Sequence, residues 1–190
     1  MKKRTLSLML TAALAAAILA GCGSSDPMAN MSEEEKAAWE AAASDPYGKY
    51  PETVTYTTGY NLTNQGADTL SGTPYENDTP SDNAYTRYLK EVLNVQNENE
   101  FEAITGADYD QKVSLAIASQ DIPDIMYVSE YSTLVELVEN DLVADLTDIY
   151  NNLACDTVKE AYASYGEENN PRNTVTFDGK IMAIPKTQLS

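Results

Sequence analysis

The side chains most used for nucleophilic and metal chemistry are scarce in this chain. Its 190 residues include no histidine, which excludes Ser-His-Asp and Cys-His nucleophilic systems and every imidazole metal site. Only two cysteines occur, Cys22 and Cys155. Acids are abundant, 30 Asp and Glu against 12 Lys and Arg. Their spacing singles out no pair of the kind that hydrolyses glycosides, so no enzymatic activity is expected. The stretch Asn77 to Asp82 offers oxygen ligands for Ca²⁺ but lacks the alternation and glycine of an EF-hand loop. Helix capping accounts for it more simply, and no metal or other cofactor is expected. A formal charge of -18 repels polyanions, which argues against a nucleic-acid partner.

The first residues carry the chemistry of export. Lys2, Lys3 and Arg4 precede the apolar run Leu6 to Leu19, which closes on the small residues of Leu19-Ala20-Gly21-Cys22. The run is short of the ~20 residues a spanning helix needs. Leu-Ala-Gly-Cys resembles the lipobox of bacterial lipoproteins. That resemblance implies removal of a signal peptide, residues 1–21, and lipidation of the Cys22 thiol. The protein would then be lipid-anchored in the cell membrane on its extracytoplasmic face. A diacyl anchor is required there, because one acyl chain such as palmitate binds a bilayer only marginally. Cys155 is left without a disulfide partner and is expected to be a small, partly buried residue rather than a nucleophile.

Residues 22–49 read as a flexible tether with a short helix. Gly23 to Pro27 is polar, Ser32 and Glu35 form a capping-box pattern, and Lys36 to Ala43 is rich in helix formers. Asp45-Pro46-Tyr47-Gly48 breaks that helix, and one folded domain is expected over 50–190. Within it, Thr53 to Thr58 predicts a strand and Gly59 to Asp82 a long loop. Tyr85, Tyr88, Leu89 and Val92 mark the apolar face of a helix over Asn83 to Leu93. Val95 to Ile104 predicts a polar strand near a sheet edge. Asp108 is placed to cap a helix whose face is Tyr109, Val113, Ala116 and Ile117. Asp124 to Val128 reads as a parallel strand buried on both faces. Leu134, Leu137 and Val138 form another helix face, continued by Leu142, Val143 and Leu146. Phe177-Asp178-Gly179-Lys180 signals a turn, and Ile181 to Ile184 a strand ended by Pro185. The βαβαβα order predicts the α/β class, a mostly parallel sheet with helices on both faces.

Ala118-Ser119-Gln120-Asp121-Ile122-Pro123-Asp124-Ile125 resembles the A-S-G-D-x-P-D signature of extracellular solute-binding proteins of carbohydrate-type ABC importers. Tyr109 to Lys112 before it, Leu142 to Thr147 after it, and Phe177 to Pro185 occur in that family's order. Gln120 stands where the family usually has Gly, implying a helix end without a left-handed glycine cap, and Met182 where it often has an aromatic. The resemblance implies a periplasmic-binding-protein-like lobe, with the second lobe absent or incomplete, so that the chain is an amino-terminal fragment. It also implies a monomer that captures a small solute, a sugar or oligosaccharide, and hands it to an ABC permease. An adhesion or scaffold lipoprotein without transport activity, a binder of a non-sugar solute, and a carboxylate-dependent glycosidase are the competing classes.

Ligands of open α/β sheets sit beyond the carboxyl ends of the strands. That rule points to Tyr60 and Asn61 behind the first strand, and to Ser129, Glu130 and Tyr131 behind the buried one, with Pro185 and Lys186 after the last. Sugars are held by aromatic faces and planar polar side chains, which these positions supply.

Overall fold

Strands and helices alternate along the chain in the order its apolar runs predict. The computed structural model describes residues 28, 31–62, 72–104 and 106–187. The expected signal segment 1–21, Cys22 and residues 23–27 of the expected tether lie outside the described residues. Helix α1, Glu33–Ala43, starts at a reciprocal capping box: Ser32 Oγ accepts from the Glu35 N–H, and the Glu35 carboxylate accepts from the Ser32 N–H at 2.7 Å. Its Trp39 ring lies 5.2 Å from that of Tyr50, resting α1 on the start of the lobe.

The lobe continues as β1 (Val54–Leu62), α2 (Ala84–Leu93), β2 (Val95–Ile104), α3 (Ala107–Ser119), β3 (Ile125–Met126) and α4 (Tyr131–Glu139). The three strands are parallel in the order β2-β1-β3, so the class is α/β. In this order the chain leaves β1 in one direction and returns past it in the other. Right-handed crossovers then place α2 and α3 on opposite faces of the sheet. Further on come α5 (Thr147–Leu153), α6 (Asp156–Ala163), a 3-10 turn over Pro171–Val175 and the antiparallel pair β4 (Thr176–Phe177) and β5 (Lys180–Ile181). Asp178 (φ 49°) and Gly179 (φ 82°) form the tight turn between them.

Two apolar clusters hold these elements. Tyr109, Val113 and Ile117 of α3 pack with Ala103 of β2 and Leu137 of α4, against one face of the sheet. Leu134, Tyr150, Tyr162, Val175 and Ile181 join α4 to the carboxyl-terminal helices and hairpin. The Leu142, Val143 and Leu146 run bridges both clusters, as its apolar character predicts.

The register of β2 on β1 slips once. Thr58 pairs with Asn99 but Gly59 pairs with Phe101, so Glu100 is an extra, bulged residue. Parallel partners share a face. Tyr56, Thr58 and Tyr60 therefore lie on the same side as Asn97, Asn99 and Glu102, and Gly59 and Asn61 lie with Phe101 and Ala103.

Several expectations are corrected. β1 runs on to Leu62, because β2 pairs with it to Ile104, so Gly59, Tyr60 and Asn61 are strand residues and not a loop. β3 is only two residues, and Ile125, which pairs with Thr58 and so lies on the cleft side of the sheet, is 58% exposed. Its apolar run is thus not buried on both faces. Asp108 does not cap α3; Gly106 occupies the cap without a side-chain bond, and Asp108 sits in the first turn, where its charge suits the helix dipole. The left-handed cap of α3 does form, with Gln120 itself at φ 57°. The strand expected over Ile181 to Ile184 shrinks to Lys180–Ile181. Cys155 is exposed at the start of α6 rather than partly buried.

Candidate functional site

The face of β1 opposite α3 borders a cleft of about 920 Å³. Tyr56, Thr58 and Tyr60 form its floor, with Asn97 beside them on β2. The amino-terminal half of α2, Asn83 to Leu89, forms one wall, and the turn Tyr75 to Pro80 another. Among the described residues no Lys or Arg lines it, while Glu76 and Asp78 do.

Local chemistry explains why the walls stand where they do. Asn83 caps α2, its Oδ1 accepting from the N–H groups of Tyr85 and Thr86, while its Nδ2 donates to the carbonyls of Thr79 and Pro80. Asp78 accepts from the Ala84 N–H and pairs with Arg87 at 2.9 Å; Asp82 takes the other arm of the same guanidinium at 2.8 Å. These bonds hold the Arg87 guanidinium above its ordinary pKa, Asp82 contributing most and Asp78 next. The Asp-rich stretch therefore caps and clamps a helix. Among the described residues no acidic or cysteine cluster is arranged to hold a metal ion.

The cleft is aromatic. Tyr56, Tyr60, Tyr75 and Tyr85 all border it. Burial, and secondarily the neighbouring Tyr85, push the Tyr56 phenol above its usual pKa, so it stays a neutral donor and acceptor through the physiological range. Thr58 and two asparagines add a polar seam: Thr58 Oγ1 donates to Asn99 Oδ1 at 2.7 Å, and Asn97 Nδ2 donates to the same oxygen at 3.1 Å. Asn97 is 7% exposed, and its Oδ1 accepts no hydrogen bond.

The five binding positions read from the sequence divide. Tyr60 and Asn61 border the cleft. Ser129, Glu130 and Tyr131 do not; Ser129 Oγ donates to Asp110 Oδ1 at 2.7 Å, Glu130 precedes α4, and Tyr131 stacks on Phe177 with ring centroids 6.1 Å apart. Pro185 and Lys186 also lie on the β3 side, where the Pro185 carbonyl accepts from Tyr162 and the Lys186 ammonium lies 5.4 Å from the Tyr127 ring centroid. Tyr56, Thr58, Asn97 and Tyr85 were missed as site residues. The period-two placement of Asn97 and Asn99 in β2 was the available signal, since it puts two amides on one face of the strand. The signature residue Asp124 acts as scaffold: its carboxylate accepts from the Thr57 N–H at 2.8 Å and from Thr57 Oγ1 at 3.1 Å, fastening the start of β3 to β1.

No helix among the described residues is long and apolar enough to cross a membrane. Comparison with family models, with curated proteins and with solved structures found no match.

Proposed function

We propose that this protein is a lipid-anchored extracytoplasmic solute-binding component of an ABC importer, that it captures a sugar or oligosaccharide, and that it performs no chemistry on it. One observation carries the reading: a cleft bordered by four tyrosines and by neutral amides, with an unused acceptor at its floor. Tyrosine rings present apolar faces to the C–H faces of a sugar, and amides and phenols match its hydroxyls. The absence of basic side chains among the described lining residues makes an anionic ligand unfavourable. The export signal, Cys22 and the Ala118 to Ile125 signature support the same assignment from the sequence. A periplasmic-binding-protein lobe is the finer fold reading, supported by the β2-β1-β3 order.

Glu76 at the cleft wall favours a second reading, a cationic solute such as a polyamine. Calorimetric titration with neutral sugars, oligosaccharides and spermidine separates the two. Saturable heat with a neutral sugar is expected. Silence across the sugars, from protein that melts cooperatively, overturns the sugar assignment. For the anchor, labelling cells with tagged palmitate is expected to mark the wild-type chain and not Cys22→Ser; equal labelling removes Cys22 as the lipid site.

A further inference from the structure

Polar groups closed off from water are almost always hydrogen-bonded, because an unpaired one forfeits its solvation. Asn97 breaks that rule at the floor of the cleft: the residue is 7% exposed and its Oδ1 is unpaired. Its orientation is forced by its neighbours. The Glu102 carboxylate accepts from Asn99 Nδ2 at 2.6 Å, which fixes which way the Asn99 amide faces. Asn99 Oδ1 must then face inward, where it accepts from Thr58 Oγ1 and Asn97 Nδ2. The Thr58 hydroxyl proton is thereby used, the Asn97 amide is fixed nitrogen-first toward Asn99, and Asn97 Oδ1 is left as the acceptor.

We infer that Asn97 is the specificity-determining acceptor of the cleft, that its Oδ1 takes a hydrogen bond from a ligand hydroxyl or amine, and that Glu102 sets this polarity through Asn99. The inference rests on the cleft being a solute site. Glu102 is a positioning residue and touches no ligand. A donor reaches the enclosed Oδ1 when the amino end of α2 moves off the sheet together with the Asp78 to Asp82 turn that clamps it. None of that helix's side chains is fully buried, Tyr85 being 70% and Tyr88 59% exposed, whereas its carboxyl end is pinned through Asn94, whose Nδ2 donates to the Tyr50 carbonyl, and through Tyr50, whose N–H donates to the Leu93 carbonyl. Binding would thus exchange an unsatisfied acceptor for a paired one, and would favour ligands that donate at this point over isosteres that only accept.

The test uses the full chain, its Asn97→Leu and Glu102→Gln variants, and four probes: D-glucose, maltose, the monofluorinated glucoses and spermidine. Without any probe, Asn97→Leu is expected to raise Tm by about 2–4 °C, because it removes a buried unpaired carbonyl while Asn99 Oδ1 keeps its bond from Thr58. A fall in Tm overturns the inference whatever binds. In titrations, Asn97→Leu is expected to weaken the bound probe by about tenfold or more, and one fluorinated glucose is expected to lose affinity to a similar extent. Glu102→Gln, which can donate as well as accept, is expected to narrow the gap between glucose and that fluorinated analogue, which a merely structural role would not do. An affinity unchanged by Asn97→Leu, or an unchanged gap in Glu102→Gln, overturns it. Sugars silent with spermidine bound and sensitive to Asn97→Leu sinks the sugar assignment and leaves the inference standing; silence of every probe overturns both.

Discussion

The two faces of β1 are built from alternate residues of one strand, yet they are finished in different ways. On the α3 side the Tyr109 hydroxyl donates to the Gly59 carbonyl at 2.8 Å and accepts from the Tyr127 N–H at 2.9 Å, tying helix, central strand and β3 together through one atom. Phe101 lies so close to Gly59 that a Cβ there would come within 2.5 Å of its ring, and the rings of Phe101 and Tyr109 are 5.6 Å apart. On the α2 side no helix side chain is fully buried, four tyrosines border open space, and a carbonyl goes unpaired. The contrast places the stabilising contacts on one face and, under the proposed function, leaves recognition to the other. A face that satisfies every polar group has nothing left to offer a ligand.

The sharpest way to break the comparison is to cut each face and compare the losses. Leu137→Ala, at a side chain 1% exposed in the cluster on the α3 side, is expected to cost about 2–5 kcal/mol in urea unfolding. A loss below about 1 kcal/mol would mean that this face is not where the lobe is held. Tyr109→Phe keeps the ring but removes both hydroxyl bonds, and about 1–3 kcal/mol is expected by the same measurement. Burial also raises the Tyr109 pKa above that of a free tyrosine. The folded form therefore favours the neutral phenol, so its contribution is complete below the ordinary tyrosine pKa and is lost as pH rises through the raised one. Thermal melts should accordingly fall on going above about pH 10, and less steeply in Tyr109→Phe. Equal slopes would contradict the role given to this phenol. Smallest in stability is Tyr85→Ala on the cleft side, expected to change it by no more than about 0.5 kcal/mol while weakening a bound sugar about tenfold. A large loss of stability with binding intact would reverse the assignment of the faces.

What was legible in the sequence follows the same division. The buried face of α3, Tyr109, Val113, Ala116 and Ile117, stands out because apolar residues at helical spacing have one explanation. The span of β2 and its place at the sheet edge were legible for a similar reason, a β-compatible run with polar members. The cleft was only half legible. The rule that ligands gather beyond strand ends picks Tyr60 and Asn61, which border the cleft although both are strand residues. Asn97 was read as edge polarity, since only the pairing of Tyr56 with Asn97 brings the two side by side. Ser129 and Tyr131 follow from the same strand-end rule, but partners distant in sequence, Asp110 and Phe177, hold them away from the cleft. The length of β3 was overestimated because an apolar run does not reveal whether a neighbouring strand covers it.

The single bulged residue Glu100 has a consequence for inheritance as well as for shape. A strand is a two-letter code, inside and outside, and Glu100 is an extra letter that lets Asn99 face the cleft and Phe101 the apolar cluster. Drawn straight with every letter in register, the strand would swing Phe101 into the cleft and turn Glu102 toward the apolar cluster, trading a cavity for a plug and burying a charge. Losing Glu100 itself leaves Phe101 opposite Gly59 and Glu102 opposite Tyr60, so this one codon can be deleted without exchanging the two faces.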